Sequence, residues 1–275
     1  MITLPFRCFT RWLPLLAALL PACQHPAGPA YRAAWVAPVA AAPAPAALPD
    51  SLRPTPVPAV AAVPDTLRRA IAALHTALGP AAASLRPEVL AQACIGYLTL
   101  HPTGRIERPG IVAVADLDLP NTEERLWVLD LRAGKVLHRS RVAHGRGSGH
   151  LRARRFSNRQ QSACTSLGFY RTAQTYDGLH GYSRRIEGLD NGQNANAYDR
   201  YVVLHAADYA ADSYVARTGH LGYSRGCPAL PPDRYRAVIG SLPAGSMLLL
   251  AGPGLASRWL DGAAAGRQFA RRGWR

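Results

Sequence analysis

Two side chains that could perform nucleophilic chemistry, His205 and Cys227, lie in the segments RYVVLHAADY and GYSRGCPAL. Gly226 precedes the cysteine and allows close backbone approach or a positive φ. Pro228 follows it and stiffens the turn, so successive N–H groups near Cys227 can converge. A thiolate, a neighbouring base and backbone donors for an oxyanion make an acyl-transfer site. The ordinary alternative is a buried structural cysteine and a core histidine.

The segment RYVVLHAADY predicts the strand that carries the histidine. Its alternation puts Tyr201, Val203 and His205 on one face and Val202 and Leu204 on the other. His205 therefore lies at the end of a strand, where side chains commonly point into a cleft.

The periodicity of the whole chain predicts two helices followed by a β-domain. PDTLRRAIAALHTALG has helical apolar spacing between an early Asp65 and a closing Gly79, and RPEVLAQACIGYLTL is a second helix. Short β-branched or aromatic runs then alternate with turn residues, which indicates six or seven mostly antiparallel strands. PPDRYRAVIGSL predicts a short helix after Cys227, and SMLLLAG a last strand. The expected fold class is mainly β.

The N-terminus has the pattern of a targeting segment. Arg7 and Arg11 precede the apolar run WLPLLAALLPA, which is too short to span a bilayer. The run ends in LLPAC, which is similar to a bacterial lipobox with Cys23 as the lipidated residue. Ordinary signal-peptidase cleavage nearby is the alternative. We expect residues 1–23 to be a signal peptide and the mature protein to be exported to the bacterial periplasm or cell envelope.

Alanine and proline dominate the next segment, residues 24–63. Proline on this scale blocks helix and ladder hydrogen bonds, so an extended, semi-rigid linker is expected. Such a linker could carry a domain anchored through a lipidated Cys23 away from the membrane. The catalytic domain, with its N-terminal helices, is then expected at residues 64–275.

Charge and motif content exclude several kinds of protein. Lys and Arg outnumber Asp and Glu by 32 to 17, giving +15, which favours polyanionic surroundings. The arginines are spread along the chain, so no nucleic-acid partner is expected. Neither Cys-x-x-Cys nor His-x-x-x-His pairs nor a P-loop occur, so we expect no metal and no cofactor. The glycine-rich HGRGSGH is interpreted as a loop lining the cleft, with a plain hairpin turn as the alternative.

From about residue 111 to 252 the chain resembles the murein L,D-transpeptidase catalytic-domain family, bacterial enzymes with a β-rich fold and a cysteine nucleophile. The matching stretches, in family order, are DLDLPNTEERLWVLDL, VAHGRGSG, FSN, SLGFYRT, YDGLHGYSRRIEGLDNGQNANA, RYVVLHAADY and GYSRGCPAL. The resemblance implies an L,D-transpeptidase-like β-sandwich or barrel. It also implies that Cys227 is the nucleophile and His205 the general base, and that the turn Ser224, Arg225 and Gly226 carries the oxyanion donors.

Three positions depart from the family pattern. Arg225 stands where many related enzymes carry a histidine, and CPAL lacks an arginine that often follows the cysteine. Ala206 stands where a glycine commonly follows the catalytic histidine. We expect this Ser-x-Gly-Cys-Pro form to be a distinct branch.

Other polar side chains near the two segments are candidates for binding substrate or orienting the base. These candidates are His144, Asp208, His220 and Tyr223. Asp208 could orient the imidazole, and a backbone carbonyl could do so equally well. His180 also falls within a family-like stretch. Cys94 and Cys164 would form a disulfide or remain two thiols.

The reaction implied by the resemblance is acylation of Cys227 by a peptidoglycan tetrapeptide stem with release of D-alanine. Transfer of the acyl group to an amine of a second stem makes the protein a transpeptidase. Hydrolysis of the same bond makes it an L,D-carboxypeptidase, and a third alternative is a catalytically silent wall-binding lipoprotein. Stem peptides are the expected partners, and no specific protein partner can be inferred.

Overall fold

The computed structural model describes residues 63–275. The expectations for a signal peptide at 1–23, for Cys23 as a lipidation site and for nearly all of the linker concern residues outside this range. Within it, no helix combines the length and apolar character needed to cross a bilayer.

The two predicted N-terminal helices are present as α1, Asp65–Leu78, and α2, Pro87–Leu100. In α1 the leucine and isoleucine positions of the helical period form one buried stripe, and Gly79 ends the helix with a φ of 66°. Pro87 starts α2 at the position where a missing N–H costs no hydrogen bond. Most of the residues of α2 are buried, because this helix lies between α1 and the sheet.

Eight strands form one sheet in the order β3-β2-β1-β8-β4-β5-β6-β7. The strands are β1 Ile111–Asp116, β2 Leu126–Asp130, β3 Lys135–Ser140, β4 Gly168–Gly178, β5 Gly181–Gly188, β6 Val203–Ala206, β7 Ala229–Leu230 and β8 Met247–Ala251. The pairs β1–β8 and β6–β7 are parallel and the others antiparallel. The mainly β fold class is thus confirmed. The strand missing from the prediction is β7, whose two residues are too few to show a periodicity.

The sheet closes almost into a barrel just beyond β3. Ala143 forms an antiparallel bridge with Ala229 of β7, and Gly145 forms a parallel bridge with Ser224. The two edges of the sheet therefore meet at the segment that contains Cys227.

Alternation along β1 divides the interior into two apolar clusters. Val112 and Val114 face a cluster that includes the apolar stripes of α1 and α2, whereas Ala113 and Ala115 face a second cluster inside the curved sheet. Cys227 packs against the second cluster. The N-terminal helices thus cover the sheet face opposite the cysteine.

Three more helices follow β6: α3 Asp212–Thr218, α4 Tyr235–Gly240 and α5 Gly262–Arg272. Helix α4 is the short helix predicted after Cys227. Neither α3 nor α5 was expected from the sequence. In α5, Asp261 caps the N-terminus by accepting the Ala264 N–H, and the small Ala265 packs into the helical cluster.

Candidate active site

The imidazole of His205 lies at the end of β6 and is only 2% exposed. Its Nδ1 lies 2.8 Å from the carbonyl oxygen of Ala206, so Nδ1–H donates and Nε2 keeps a free lone pair. The orienting partner is therefore this backbone carbonyl. The Asp208 carboxylate, considered for that role, belongs to an exposed residue at the next turn.

Burial is the main influence on the basicity of His205. It lowers the pKa of the imidazole to about 4, the Ala206 carbonyl opposes this effect, and the nearby His180 adds to it. The His180 ring stacks on that of His205 with centroids 4.4 Å apart. Because His180 lies in the turn between β4 and β5, the tip of this hairpin covers the imidazole.

The sulfur of Cys227 lies close to the start of β6. The parallel pairing of His205 with Ala229 places Cys227, which precedes Ala229 by two residues, beside Val203 at the start of β6. Its Sγ–H donates to the carbonyl oxygen of Tyr201 over 3.7 Å. Burial raises the pKa of the thiol, while the Val203 N–H and the charge of Arg200 oppose the rise. A neutral thiol thus faces the site together with a neutral imidazole.

Tyr201 does not belong to the strand, contrary to the predicted alternation. Its φ is 55°, and β6 begins only at Val203. The left-handed backbone turns its carbonyl toward the Cys227 sulfur and leaves the side chain 72% exposed. A positive φ is unfavourable for a bulky aromatic residue, so the surrounding structure must impose it.

Ser224 fastens the turn before Cys227. Its Oγ accepts the Gly226 N–H at 3.0 Å and donates to the Cys227 carbonyl at 2.6 Å. Gly226 has a φ of 130°, and a Cβ there would lie 2.7 Å from the carbonyl oxygen of Cys164. Only glycine therefore fits this position.

Some backbone N–H groups of residues 224–227 donate hydrogen bonds within the protein, whereas others have no acceptor there. Ser224 N–H bonds the His144 carbonyl at 3.0 Å, and Gly226 N–H is taken by the Ser224 hydroxyl. Both of these N–H groups therefore already have acceptors, so donors for an oxyanion on this turn are expected from its other residues. Those of Arg225 and Cys227 have no backbone or side-chain acceptor within residues 63–275, and the Arg225 residue is exposed.

His144 stabilises this turn, because its carbonyl accepts the Ser224 N–H. The residue is 0% exposed, Arg125 donates to its Nδ1 at 2.7 Å, and its Nε2–H donates to Gly149 at 3.2 Å. Burial and, next, the positive charge of Arg125 lower the pKa of His144 to about 4. Both ring nitrogens of His144 are thus used inside the protein, and a role of this residue in binding or orienting stays a prediction.

Two residues that the sequence analysis missed, Arg200 and Thr165, also stabilise the surroundings of the Cys227 turn. Arg200 donates to the carbonyls of Ser157 and Cys164 at 2.7 and 2.6 Å, and Thr165 Oγ1 donates to the Gly226 carbonyl at 3.2 Å. Within the described range no carboxylate pairs with Arg200. Its positive charge is therefore free to act on the Cys227 sulfur. Nothing in the sequence distinguished this arginine from the many others.

The predicted pair His220 and Tyr223 lies in a small aromatic cluster. The His220 ring is 4.5 Å from that of His150 and 5.7 Å from that of Tyr223, centroid to centroid. Among residues 63–275 neither side chain hydrogen-bonds His205 or Cys227. Their role in binding stays a prediction, as does that of Asp208.

Tyr209 is a further residue that the sequence analysis passed over. Burial raises the pKa of its phenol, and the nearby Cys227 contributes to the rise. The signal was available, since Tyr209 closes the segment RYVVLHAADY that contains the histidine.

The two other cysteines among residues 63–275 form no disulfide. Cys94 is buried in α2 and Cys164 is partly exposed, and both are free thiols. Of the two alternatives, the structure therefore has the pair of thiols. Over the described part of the chain, no three His, Cys, Asp or Glu side chains converge as metal ligands would.

Comparison with known proteins gives one family match. The sequence model of the L,D-transpeptidase catalytic domain matches residues 81–250, well over half of the chain. The match begins before the stretches that carry the resemblance and takes in α2. No curated protein matches the chain.

Similar solved structures include L,D-transpeptidases from three organisms. That from Mycobacterium tuberculosis H37Rv has 15% identity and a TM-score of 0.34, over 52% of this chain and 58% of that chain. That from Mycobacterium smegmatis has 15% identity and a TM-score of 0.33, over 52% and 59%. The C442S mutant of the Enterococcus faecium enzyme has 15% identity and a TM-score of 0.32, over 52% of this chain and 50% of that chain. The chain thus spans between half and three fifths of the length of these structures.

Proposed function

The chain belongs to the L,D-transpeptidase catalytic domain family, and we propose that it uses Cys227 as nucleophile and His205 as general base on peptidoglycan stem peptides. The observation that carries this proposal is the hydrogen bond from His205 Nδ1 to the Ala206 carbonyl. It leaves Nε2 as a proton acceptor on β6, the strand whose start lies beside the Cys227 sulfur.

In the first step, the thiol attacks the carbonyl carbon between the diamino acid and the terminal D-alanine. Because the thiol pKa is raised and the imidazole pKa lowered, the proton moves from Sγ to Nε2 as the S–C bond forms. A preformed thiolate–imidazolium pair is not the resting state. The N–H groups of Arg225 and Cys227 are the donors available for the oxyanion.

In the second step, the tetrahedral adduct collapses. The C–N bond breaks, and the imidazolium returns its proton to the departing D-alanine amine, which leaves a thioester on Cys227. An amine of a second stem then attacks the thioester carbonyl. His205 accepts the proton of that amine and passes it to the departing sulfur, which restores the thiol.

We place this reaction in the bacterial periplasm or cell envelope. The support is the apolar run before Cys23, together with a charge of +15 that suits an anionic cell wall. Lipid attachment at Cys23 would hold the domain at a membrane.

The test is incubation of the purified 275-residue chain with a disaccharide-tetrapeptide, with products identified by mass spectrometry. D-Alanine release that is lost in both Cys227→Ala and His205→Gln supports the proposal. Cross-linked dimers among the products identify a transpeptidase, and tripeptides identify a carboxypeptidase. Release that persists at the wild-type rate in Cys227→Ala contradicts the nucleophile assignment.

A further inference from the structure

An arginine surrounded by tyrosines lies on the sheet beside the candidate site. The guanidinium carbon of Arg185, on β5, is 5.0 Å from the ring centroid of Tyr176, 5.3 Å from that of Tyr198 and 5.9 Å from that of Tyr201. We call these four residues the tyrosine–arginine cluster. Three aromatic rings around one guanidinium fix its position by cation–π attraction.

The charge of Arg185 has no counterpart in the described structure. Within residues 63–275 its side chain forms neither an ion pair nor a hydrogen bond, although many other arginines do. Aromatic rings cover guanidinium faces and accept no strong hydrogen bonds, so the planar N–H edge keeps its donors. Such an edge matches a carboxylate in a bidentate geometry.

Tyr201 connects this cluster to the reacting sulfur. Its carbonyl accepts the Cys227 thiol, and its ring forms one wall around Arg185. The ring is 72% exposed and its backbone holds the unfavourable φ of 55°. Strained residues of this kind cluster at functional sites. Because Tyr201 is exposed and contacts both Arg185 and the Cys227 thiol, we interpret this surface as one that contacts a ligand bound at Cys227.

We propose that the tyrosine–arginine cluster binds a free carboxylate of the acyl-donor stem other than its C-terminal one, with Arg185 as the anchor. This inference rests on the proposed function, because it assumes that a stem peptide is the substrate. Stem peptides carry carboxylates besides the reacting carbonyl, so one of them can reach Arg185 while the scissile carbonyl lies at Cys227.

The experiment measures equilibrium binding to the full chain carrying Cys227→Ala, so that no turnover occurs. The two probes are a tetrapeptide stem with free carboxylates and the same stem with its side-chain and α-carboxylates, other than the C-terminal one, converted to carboxamides. We expect the acidic stem to bind about tenfold more tightly, as for one charge-assisted hydrogen-bonded pair at a partly exposed site. Adding Arg185→Gln should reduce the affinity for the acidic stem to that for the amidated stem.

Two further variants separate recognition from folding. Arg258 also stacks on an aromatic ring, at 4.3 Å from that of Trp259, which packs in the helical cluster on the opposite face of the sheet. Arg258→Gln should keep the full preference for the acidic stem. Tyr201→Asn removes the ring with a residue that tolerates a positive φ. This substitution should weaken the binding of both stems several-fold.

The outcomes for the inference and for the proposed reaction are distinguishable. Equal binding of both stems, or a preference that survives Arg185→Gln, overturns the carboxylate site even if wild-type protein releases D-alanine. A preference that needs Arg185 upholds the site even if no D-alanine is released. A loss of preference in Arg258→Gln as large as in Arg185→Gln also overturns it, because only the general charge would then matter.

Discussion

Acidification should weaken this fold through His205 and His144, which are both buried as neutral imidazoles. Burial lowers both pKa values to about 4 from an ordinary value of 6.5. A group whose pKa is lower in the folded state takes up protons preferentially when unfolded. Its contribution to stability is therefore complete above about pH 6.5 and is lost progressively as the pH falls toward 4.

The size of this loss follows from the two pKa values. For one histidine whose pKa is 6.5 in the unfolded state and about 4 in the folded state, proton linkage lowers the free energy of unfolding by about 2 kcal/mol at pH 5 relative to pH 8. Two such residues give about 4 kcal/mol together. Because domains are typically stable by only about 5–15 kcal/mol, much of the stability is lost at pH 5.

The assay is urea unfolding of wild type, His144→Gln and His205→Gln at pH 8, 6 and 5. Glutamine does not titrate, so each variant should lose about 2 kcal/mol less than wild type between pH 8 and pH 5. The comparison uses differences between two pH values and is therefore independent of how much each substitution destabilises the protein at pH 8. A pH dependence identical in all three proteins would refute the reasoning about buried neutral imidazoles.

Three further predictions concern the turn that carries Cys227. Gly226→Ala should abolish D-alanine release, since the new Cβ would lie 2.7 Å from the Cys164 carbonyl, and circular dichroism checks that the fold survives. Ser224→Ala should destabilise the protein by about 1–3 kcal/mol in urea unfolding, because the Gly226 N–H and the Cys227 carbonyl lose their partner. Arg200→Met should shift the pH profile of Cys227 alkylation by iodoacetamide upward, since the arginine charge lowers the pKa of that thiol.

Each of these predictions has a clear contrary result. Activity in Gly226→Ala comparable with wild type would show that the turn needs no glycine. A Ser224→Ala variant as stable as wild type would show that the hydroxyl contributes nothing. An unchanged alkylation profile in Arg200→Met, with the fold intact, would remove the arginine from the electrostatics of the site.

Local patterns predicted three of the five helices and most of the strands because those elements bury regular apolar faces. The stripe of α1 and the runs of β1 and β8 show the period of their structure directly. The two-residue strand β7 is too short to carry such a signal, and helix α3 has no buried residue to show one. Helix α5 is rich in alanine, glycine and arginine, so its buried side has few large apolar residues.

The candidate nucleophile and base were identifiable from their segments, whereas their surroundings depend on contacts distant in sequence. Arg200 and Thr165 reach the Cys227 turn from other parts of the chain. His144 looked like a cleft residue because it neighbours glycines, but it pairs with the buried Arg125. The conformation of Tyr201 was hidden by a regular alternation that stops at Val203.

The most direct test of the central claim is the mass of the full chain during reaction with a tetrapeptide stem, followed by peptide mapping. The expected product is an adduct with the mass of the stem minus D-alanine, joined through a thioester to Cys227. It should be absent in Cys227→Ala and retained in Cys164→Ala, which removes another partly exposed thiol. Turnover of the stem through an adduct on another residue, or with the same rate in Cys227→Ala, would contradict the account.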